Sequence, residues 1–455
     1  MSRLAVAALV LSGCAAGPDY VRPGQPFPET HGALARDGAE LGAAWWKALG
    51  DPVLDDLVDR ALAGNRDILA ASARVDRALA ILGEVEAAGL PSLAASAAYE
   101  RRRASVDLAT NFPAGTPRIR PVAEVGVSLN YEIDLWGRAR RARESSRALL
   151  EAGRESLRAA ELSVAALVAR TYVGLRSAET ELDAMAGALA ARDEALRVAR
   201  EREAAGAAAP DEVSRAEVAR SDAHTRLAMA RRQRAALAHL LGSLTGEPSL
   251  EIAPATAKLS VPPPPASGLP SALLERRPDV REAEQLAVSA NAQVGVAKGS
   301  AFPRLSLTGA VGSASRELSG LFASPAATAA LGGAIQYDLL DWGASRRATE
   351  AAKAAANEAA ASYSRVALEA LRETRDALVD LGEAIELAES TERRAAASAA
   401  LLDLARRRFE AGEIGPLEWA EARVAHADAV AVAAAARRDR IVAHLQVVKA
   451  LGGGF

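Results

Sequence analysis

From Val53 to Ala88, apolar residues return at nearly every third or fourth place: Leu54, Leu57, Val58, Ala61, Leu62, Ile68, Leu69 and Leu79. That is the period of an amphipathic helix. Gly89 and Pro91 stop it. The period then changes to two. Leu93, Ala95, Ala97 and Tyr99 alternate with Ala94, Ser96, Ala98 and Glu100. After a loop containing Pro, Gly and Arg, Val125, Val127, Leu129, Tyr131, Ile133 and Leu135 alternate with Glu124, Gly126, Ser128, Asn130, Glu132 and Asp134. Such alternation predicts two strands, each greasy on one face and polar on the other. From about Gly137 to Ala205 no proline intervenes, and Val168, Leu175, Leu182, Leu189 and Leu196 recur at intervals of seven. This is the spacing of a coiled-coil seam. At about 1.5 Å per residue such a helix is on the order of 100 Å long, and it must project as a rod. Gly206 to Pro210 break it, and a second helix returns from Asp211 to about Leu244.

The same succession then repeats. Residues 65–100 align without a gap on 277–312 at an offset of 212, and residues 131–220 on 337–426 at 206. Pro91 thereby pairs with Pro303, Tyr131 with Tyr337, Trp136 with Trp342, Gly137 with Gly343, Gly206 with Gly412 and Pro210 with Pro416. Internal duplication fixes the architecture, each half being one copy of a long supersecondary unit. The shortening falls between the proline and the tyrosine, where a surface loop can lose residues without disturbing its flanks. The second pair of strands carries Leu305, Leu307, Gly309 and Val311, then Ile335, Tyr337 and Leu339 against Gln336 and Asp338. The second helical hairpin runs from Gly343 to Ala411, turns at Gly412 to Pro416 and returns from Leu417 to Leu451. In each half the two shorter helices together nearly equal the long one, so they are expected to stack end to end beside it. The expected organisation is a leader (1–13), an N-terminal segment (14–52), a first repeat (53–245), a proline-rich linker (246–269), a second repeat (270–451) and a short tail (452–455). The linker, with Pro248, Pro254 and Pro262 to Pro265, reads as an extended belt or tether.

Each strand has the ~9 to 11 residues that span an outer-membrane hydrocarbon layer when tilted. Four strands cannot close by themselves, because a barrel needs about eight or more. An open edge in lipid leaves backbone groups unpaired at several kcal/mol each, so spanning strands would oblige the chain to oligomerise. Two, three or four copies all satisfy that requirement. Alternation alone fits a small soluble sheet equally well, and it is the long helices that favour the spanning reading.

Composition narrows the classes further. Hydrophobic residues make up 50% of the chain but aromatics only 4%, the excess being alanine, as in closely packed helices. A net charge of −3 argues against nucleic acid as a partner. No stretch after the leader approaches the roughly 18 consecutive apolar residues of a spanning helix, so any membrane crossing must be made by strands. The one cysteine, Cys14, ends a segment consisting of Met1-Ser2-Arg3, an apolar run from Leu4 to Leu11, and Ser12-Gly13. That is the order of a secretory signal. Leu11-Ser12-Gly13-Cys14 resembles a bacterial lipoprotein cleavage box, in which Cys14 becomes the acylated first residue and its lipid the one covalent group the protein carries. An ordinary signal, or a short buried segment with a chance cysteine, are the alternatives.

Taken with Cys14-Ala-Ala-Gly-Pro-Asp-Tyr-Val-Arg-Pro23, Leu269-Pro-Ser-Ala-Leu-Leu-Glu-Arg-Arg-Pro-Asp-Val-Arg-Glu-Ala-Glu284 and Tyr131-Glu-Ile-Asp-Leu-Trp-Gly137 with its copy, the chain resembles the TolC-like outer-membrane factors. The likeness is to their lipoprotein branch, with OprM and NodT, and covers essentially the whole mature chain. It implies a mainly α fold with membrane β: long antiparallel helical hairpins forming a periplasmic tunnel, and four transmembrane strands per protomer contributing to a twelve-stranded barrel in a homotrimer. Such a protein is the passive exit duct of a tripartite efflux pump, in contact with outer-membrane lipid. Its partners are a periplasmic adaptor (membrane fusion) protein and an inner-membrane RND-type transporter. The helical-hairpin tips, here Gly206, Pro210, Gly412, Gly415 and Pro416, are where the adaptor would dock. The family's acidic ring at the periplasmic constriction maps onto Glu418 and Glu421. These lie three apart on one helical face, so three copies would crowd six carboxylates near the axis, favouring cations. They equally suit solvated acids near a helix N-terminus, as do Asp211 and Glu212 after Pro210. Where the family carries a polar latch, this chain has Phe409 and Ile414.

Nothing in the sequence predicts catalysis. The histidines form no helical His-Glu-x-x-His, and no Gly-x-x-x-x-Gly-Lys-Ser/Thr loop is present. Two other readings compete with the drug-efflux duct. One is a duct for a type I protein secretion or metal-ion system, and the other is a lipid-anchored helical scaffold without a channel.

Overall fold

The computed structural model describes residues 16–25, 27–31, 42, 44–103, 119–207, 209–252, 259–268 and 270–454. The expected leader (1–13), Cys14 and the whole loop between the first two strands (104–118) lie outside them. The first repeat comprises α1 (Pro52–Gly64), α2 (Arg66–Ala88), β1 (Ser92–Arg103), β2 (Ile119–Ile133), α3 (Arg138–Ala204) and α4 (Pro210–Thr245). After a short α5 (Leu273–Arg276), the second comprises α6 (Pro278–Ser300), β3 (Arg304–Ser315), β4 (Ala327–Gln336), α7 (Ala344–Glu410) and α8 (Pro416–Ala450). The copies match closely: α2 and α6 have 23 residues each, β1 and β3 12 each, α3 and α7 67 each, and α4 and α8 have 36 and 35.

The chain divides into two compact units. The first, Met1–Pro23, Val75–Gly153 and Ala283–Tyr363, contains one antiparallel sheet in the order β1-β2-β3-β4. The two expected hairpins are therefore joined through β2 and β3. The register sets Leu93 opposite Leu129, Leu129 opposite Gly309 and Gly309 opposite Leu331. Because side chains alternate faces, all four apolar sets fall on one side, with Ser, Thr, Gly, Ala, Asn and Glu on the other. On that polar face Gly126 opposes Gly312, where a Cβ on Gly312 would lie 2.4 Å from the Val125 carbonyl oxygen, so the backbones meet as only glycine allows. The alternation runs beyond the strands at two places. β2 ends before Leu135, and β4 ends before Tyr337 and Leu339, whose predicted strand positions are not strand in the single chain. For β4 the physical reason is that it is an edge: nothing pairs with its outer side to extend it.

The second unit, Gly24–Arg74, Arg154–Glu282 and Ser364–Phe455, is helical. Its largest apolar cluster unites Trp45, Leu54, Leu57 and Val58 with Val168, Tyr172 and Leu175 of α3, Leu241 of α4, and Ile441 and Leu445 of α8. Residues of both repeats thus share one core. Asp51 starts α1, one carboxylate oxygen accepting from the Val53 amide at 2.9 Å. Its other oxygen accepts from the buried Tyr172 hydroxyl, to which Arg176 donates at 2.7 Å. Burial, reinforced by Asp51, pushes that phenol well above its usual range.

Two sequence expectations change here. The helix expected over 53–88 is two helices, because the Asn65 side-chain Oδ1 accepts from the Asp67 amide at 2.9 Å and restarts the helix after Gly64. The Asn65 amide group donates to the Leu244 carbonyl at 2.9 Å, so the C-terminus of α4 abuts this junction end to end. The heptad seam holds at Val168, Leu175 and Leu196, which are buried, but Leu182 and Leu189 are half-buried. Over this stretch, burial passes to Met185, Ala188 and Ala191. A straight helix drifts about 20° per heptad, and α3 has two neighbours: Leu196 packs with Ala216 of α4, while Ala191 and Ala195 pack with Ala420 of α8.

Candidate functional site

The sheet and the segments at its base form the first candidate region. Just past β2, the Trp136 ring stacks on Phe302, centroids 4.8 Å apart, and its indole N–H donates to the Pro303 carbonyl at 2.7 Å. Phe302 and Pro303 immediately precede β3, so this elbow clamps the first repeat to the second. Asp134 accepts from the amides of Ala139 and Arg140 at 3.0 and 2.9 Å, seeding the first turn of α3. Asp341 does the same for α7. The Ser345 hydroxyl, with the amides of Ser345 and Gly343, holds its carboxyl down at about 2.

The described N-terminal residues bind the same region. The Ala16 amide donates to the Trp136 carbonyl at 2.8 Å, and the buried Arg141 reaches Asp19 and Glu144, each at 2.7 Å. Arg22 makes a two-pronged pair with Glu284 at 2.6 and 2.8 Å. Burial, with the Glu284 charge nearby, pushes the Tyr20 phenol up to about 12.

The helical-hairpin tips are the second region. Gly206 and Gly412 take left-handed φ of 70° and 76°, and each ends its long helix with the same pair of bonds. The Ala207 amide reaches the Arg202 carbonyl at 2.7 Å, and the Glu413 amide the Arg408 carbonyl at 2.8 Å. Pro210 and Pro416 open the return helices at N1, with Gly415 extended just before the latter. Arg202 pairs with Glu212 at 2.7 Å, and Asp211 pairs with Arg215. At the second tip Phe409 stacks on Trp419, centroids 6.0 Å apart, and Ile414 is buried, so apolar packing holds this turn. Glu418 and Glu421 are both exposed in the first turns of α8, and the Arg408 guanidinium lies 3.7 Å from Glu418. Sequence reasoning missed Arg408, as it missed the Trp136 elbow, because both are contacts across a turn or a repeat.

Among the described residues no helix is long and apolar enough to cross a membrane, and no group of three or more His, Cys, Asp or Glu is placed to hold a metal ion. His31 and His444 are buried in the helical unit, where burial lowers both imidazoles and takes His444 down to about 4.

The family model for "Outer membrane efflux protein" matches residues 57–247 and 269–453. The chain belongs to the outer membrane efflux protein family. Outer membrane protein OprJ of Pseudomonas aeruginosa is 30% identical over 98% of this chain and 94% of its own length. The toluene efflux pump outer membrane protein TtgI of Pseudomonas putida is 30% identical over 99% and 97%. The crystal structure of the Campylobacter jejuni CmeC outer membrane channel superposes with a TM-score of 0.88 at 25% identity, covering 97% of this chain and 95% of that one. As a member of this family, the efflux protein is an outer-membrane channel. The small sheet of this mainly helical efflux protein is its membrane part.

Proposed function

We propose that the protein is the exit duct of a tripartite efflux pump. Three copies close twelve strands into one barrel, and their helical hairpins enclose a periplasmic tunnel. A periplasmic adaptor docks on the tips at Gly206, Pro210, Gly412, Gly415 and Pro416. An inner-membrane RND-type transporter supplies the energy, and the duct itself conducts passively and performs no catalysis. The observation that carries this reading is the sheet, whose register gathers the alternating apolar sets of four strands onto one face while leaving both edges unpaired. In hydrocarbon such a sheet must close on further copies.

Glu418 and Glu421 form the cation-favouring constriction in this account, with Arg408 a counter-charge beside one of them. Cys14 carries the lipid anchor. The support for that assignment is the sequence of the leader, an apolar run followed by Leu11-Ser12-Gly13-Cys14. The test is planar-bilayer recording of protein purified from outer membranes. Discrete conductance steps are expected; silent bilayers containing intact, incorporated protein would return the chain to an anchored scaffold.

A further inference from the structure

The apolar face of the sheet changes character along its length. Its middle carries Leu93, Leu129, Val127, Val311 and Leu331. Ser92 and Ile133 mark the end where α2 enters and α3 leaves. Toward the opposite end, Tyr99 stands on the same face, exposed, level with Ala123 of β2 and with Ser315, the last residue of β3. Phe322, in the turn between β3 and β4, is 84% exposed and lines one hollow with Ala97, Val125, Val311 and Ser313 of that face. Beyond these two rings come Arg101 and Arg103, two and four residues past Tyr99 and so on its side of β1, and Arg316, just past β3. Apolar, then aromatic, then cationic is the order of groups met on passing from hydrocarbon into charged headgroups.

These arginines differ from those of the helices. Arg101, Arg103 and Arg316 are exposed, and among the described residues none of the three has an ion-pair partner. On the helices, by contrast, Arg197 meets Glu194 and Glu201, and Arg372 meets Glu369 and Asp376. At the helical end of the sheet Arg138 meets Glu132. The described carboxylates near the three arginines are turned elsewhere: Glu100 and Glu124 alternate onto the polar face, and Glu317 accepts from the Ser319 hydroxyl. Only β2 separates β1 from β3, a spacing of about 10 Å. Three uncompensated positive charges thus share one end of the lipid-facing side.

We infer that Arg101, Arg103 and Arg316 form a binding surface for phosphate-bearing lipid headgroups of the outer leaflet. The inference rests on the duct reading above, which points the helices into the periplasm and this end of the sheet outward. Guanidinium suits the partner, because its planar fork takes two phosphate oxygens at once. Tyr99 and Phe322 lie between the apolar middle of the face and the arginines, where rings rest at the boundary of acyl chains and headgroups. They set the arginines at the depth of the phosphates. Each arginine beside an anionic surface strengthens binding about fivefold, and three together roughly 100-fold.

The test is native mass spectrometry of the full-length protein in detergent, titrated with diphosphorylated lipid A or with the same glycolipid stripped of both phosphates. The parent is expected to prefer the phosphorylated lipid by roughly 100-fold. R101Q/R103Q/R316Q should lose that preference. R197Q/R200Q/R372Q, which removes the same charge from the helices, should keep it. Equal binding of the two lipids by the parent overturns the inference without any variant having to fold, and so does a preference that survives R101Q/R103Q/R316Q. Displacement of the bound lipid by inorganic phosphate alone would make this a site for free phosphate and overturn the lipid surface. Planar-bilayer recording of the same parent sample separates the two readings. Conducting protein with no lipid preference overturns this inference and leaves the duct standing, whereas silent, incorporated protein overturns the duct and with it the outward placement on which the inference rests.

Discussion

Replacing Leu331 with lysine tests whether the apolar face of the sheet meets lipid. Leu331 is the fifth of the ten residues of β4 and is 89% exposed, pointing to the same side as Leu93, Leu129 and Gly309 across the sheet. Ten residues at about 3.4 Å each, tilted by ~40°, rise roughly 26 Å, the height of the apolar band of an outer-membrane barrel. The fifth residue then sits close to the bilayer midplane. Lysine there costs about 2 to 4 kcal/mol per chain, a factor of roughly 30 to 700 in the folding equilibrium. Three copies inserting together bear the cost three times. A330K, one residue away on the polar face, meets a water-filled lumen and should cost under about 1 kcal/mol. The assay is urea titration of protein reconstituted into lipid vesicles, read by tryptophan fluorescence. If L331K costs no more than A330K, the face does not meet lipid and the membrane assignment of the sheet is wrong.

Three further outcomes are expected. Burial holds His444 at about 4 against 6.5 in the unfolded chain. As pH falls the unfolded state therefore takes up a proton first, and stability present above pH 6.5, on the order of 3 kcal/mol, is lost progressively down to about pH 4. H444L should flatten that slope in denaturation curves at the two ends of the window, and an unaltered slope would assign the pH dependence elsewhere. E418A/E421A should leave assembly intact and change cation block or conductance in bilayers; unchanged currents would remove both residues from the constriction. C14S should abolish the acyl mass seen by mass spectrometry while the protein still inserts, because closed strands hold the membrane independently, and loss of insertion would make lipidation an assembly requirement.

The offsets of 212 and 206 made the architecture legible, since matched Pro, Tyr, Trp and Gly positions carry the boundaries of every long element. The period-two face of the strands was legible for the same reason: the apolar set of each strand is continuous across the observed register. What escaped were contacts that join distant parts of the chain. Gly64-Asn65 breaks a helical pattern whose period continues straight through it, and the reason lies 179 residues away, where the Leu244 carbonyl takes a hydrogen bond from the Asn65 side chain. A Cβ at Gly64 would stand 2.6 Å from the Thr245 carbonyl oxygen, so the glycine is a packing requirement that periodicity does not register. The same holds for the site. Gly206 and Gly412 announced their turns as glycines ending a long helical run with a proline four residues on, whereas the Arg408 partner of Glu418 and the Phe302 partner of Trp136 depend on folded proximity. The heptad seam was half legible, because a seven-residue count follows one partner and α3 has two.

The most direct test of the account is the native mass of the protein extracted from outer membranes in mild detergent. An open four-stranded sheet with an apolar face can persist there only by closing on other copies, and the account predicts a particle of three chains that survives dilution. A stable monomer of one chain would contradict it.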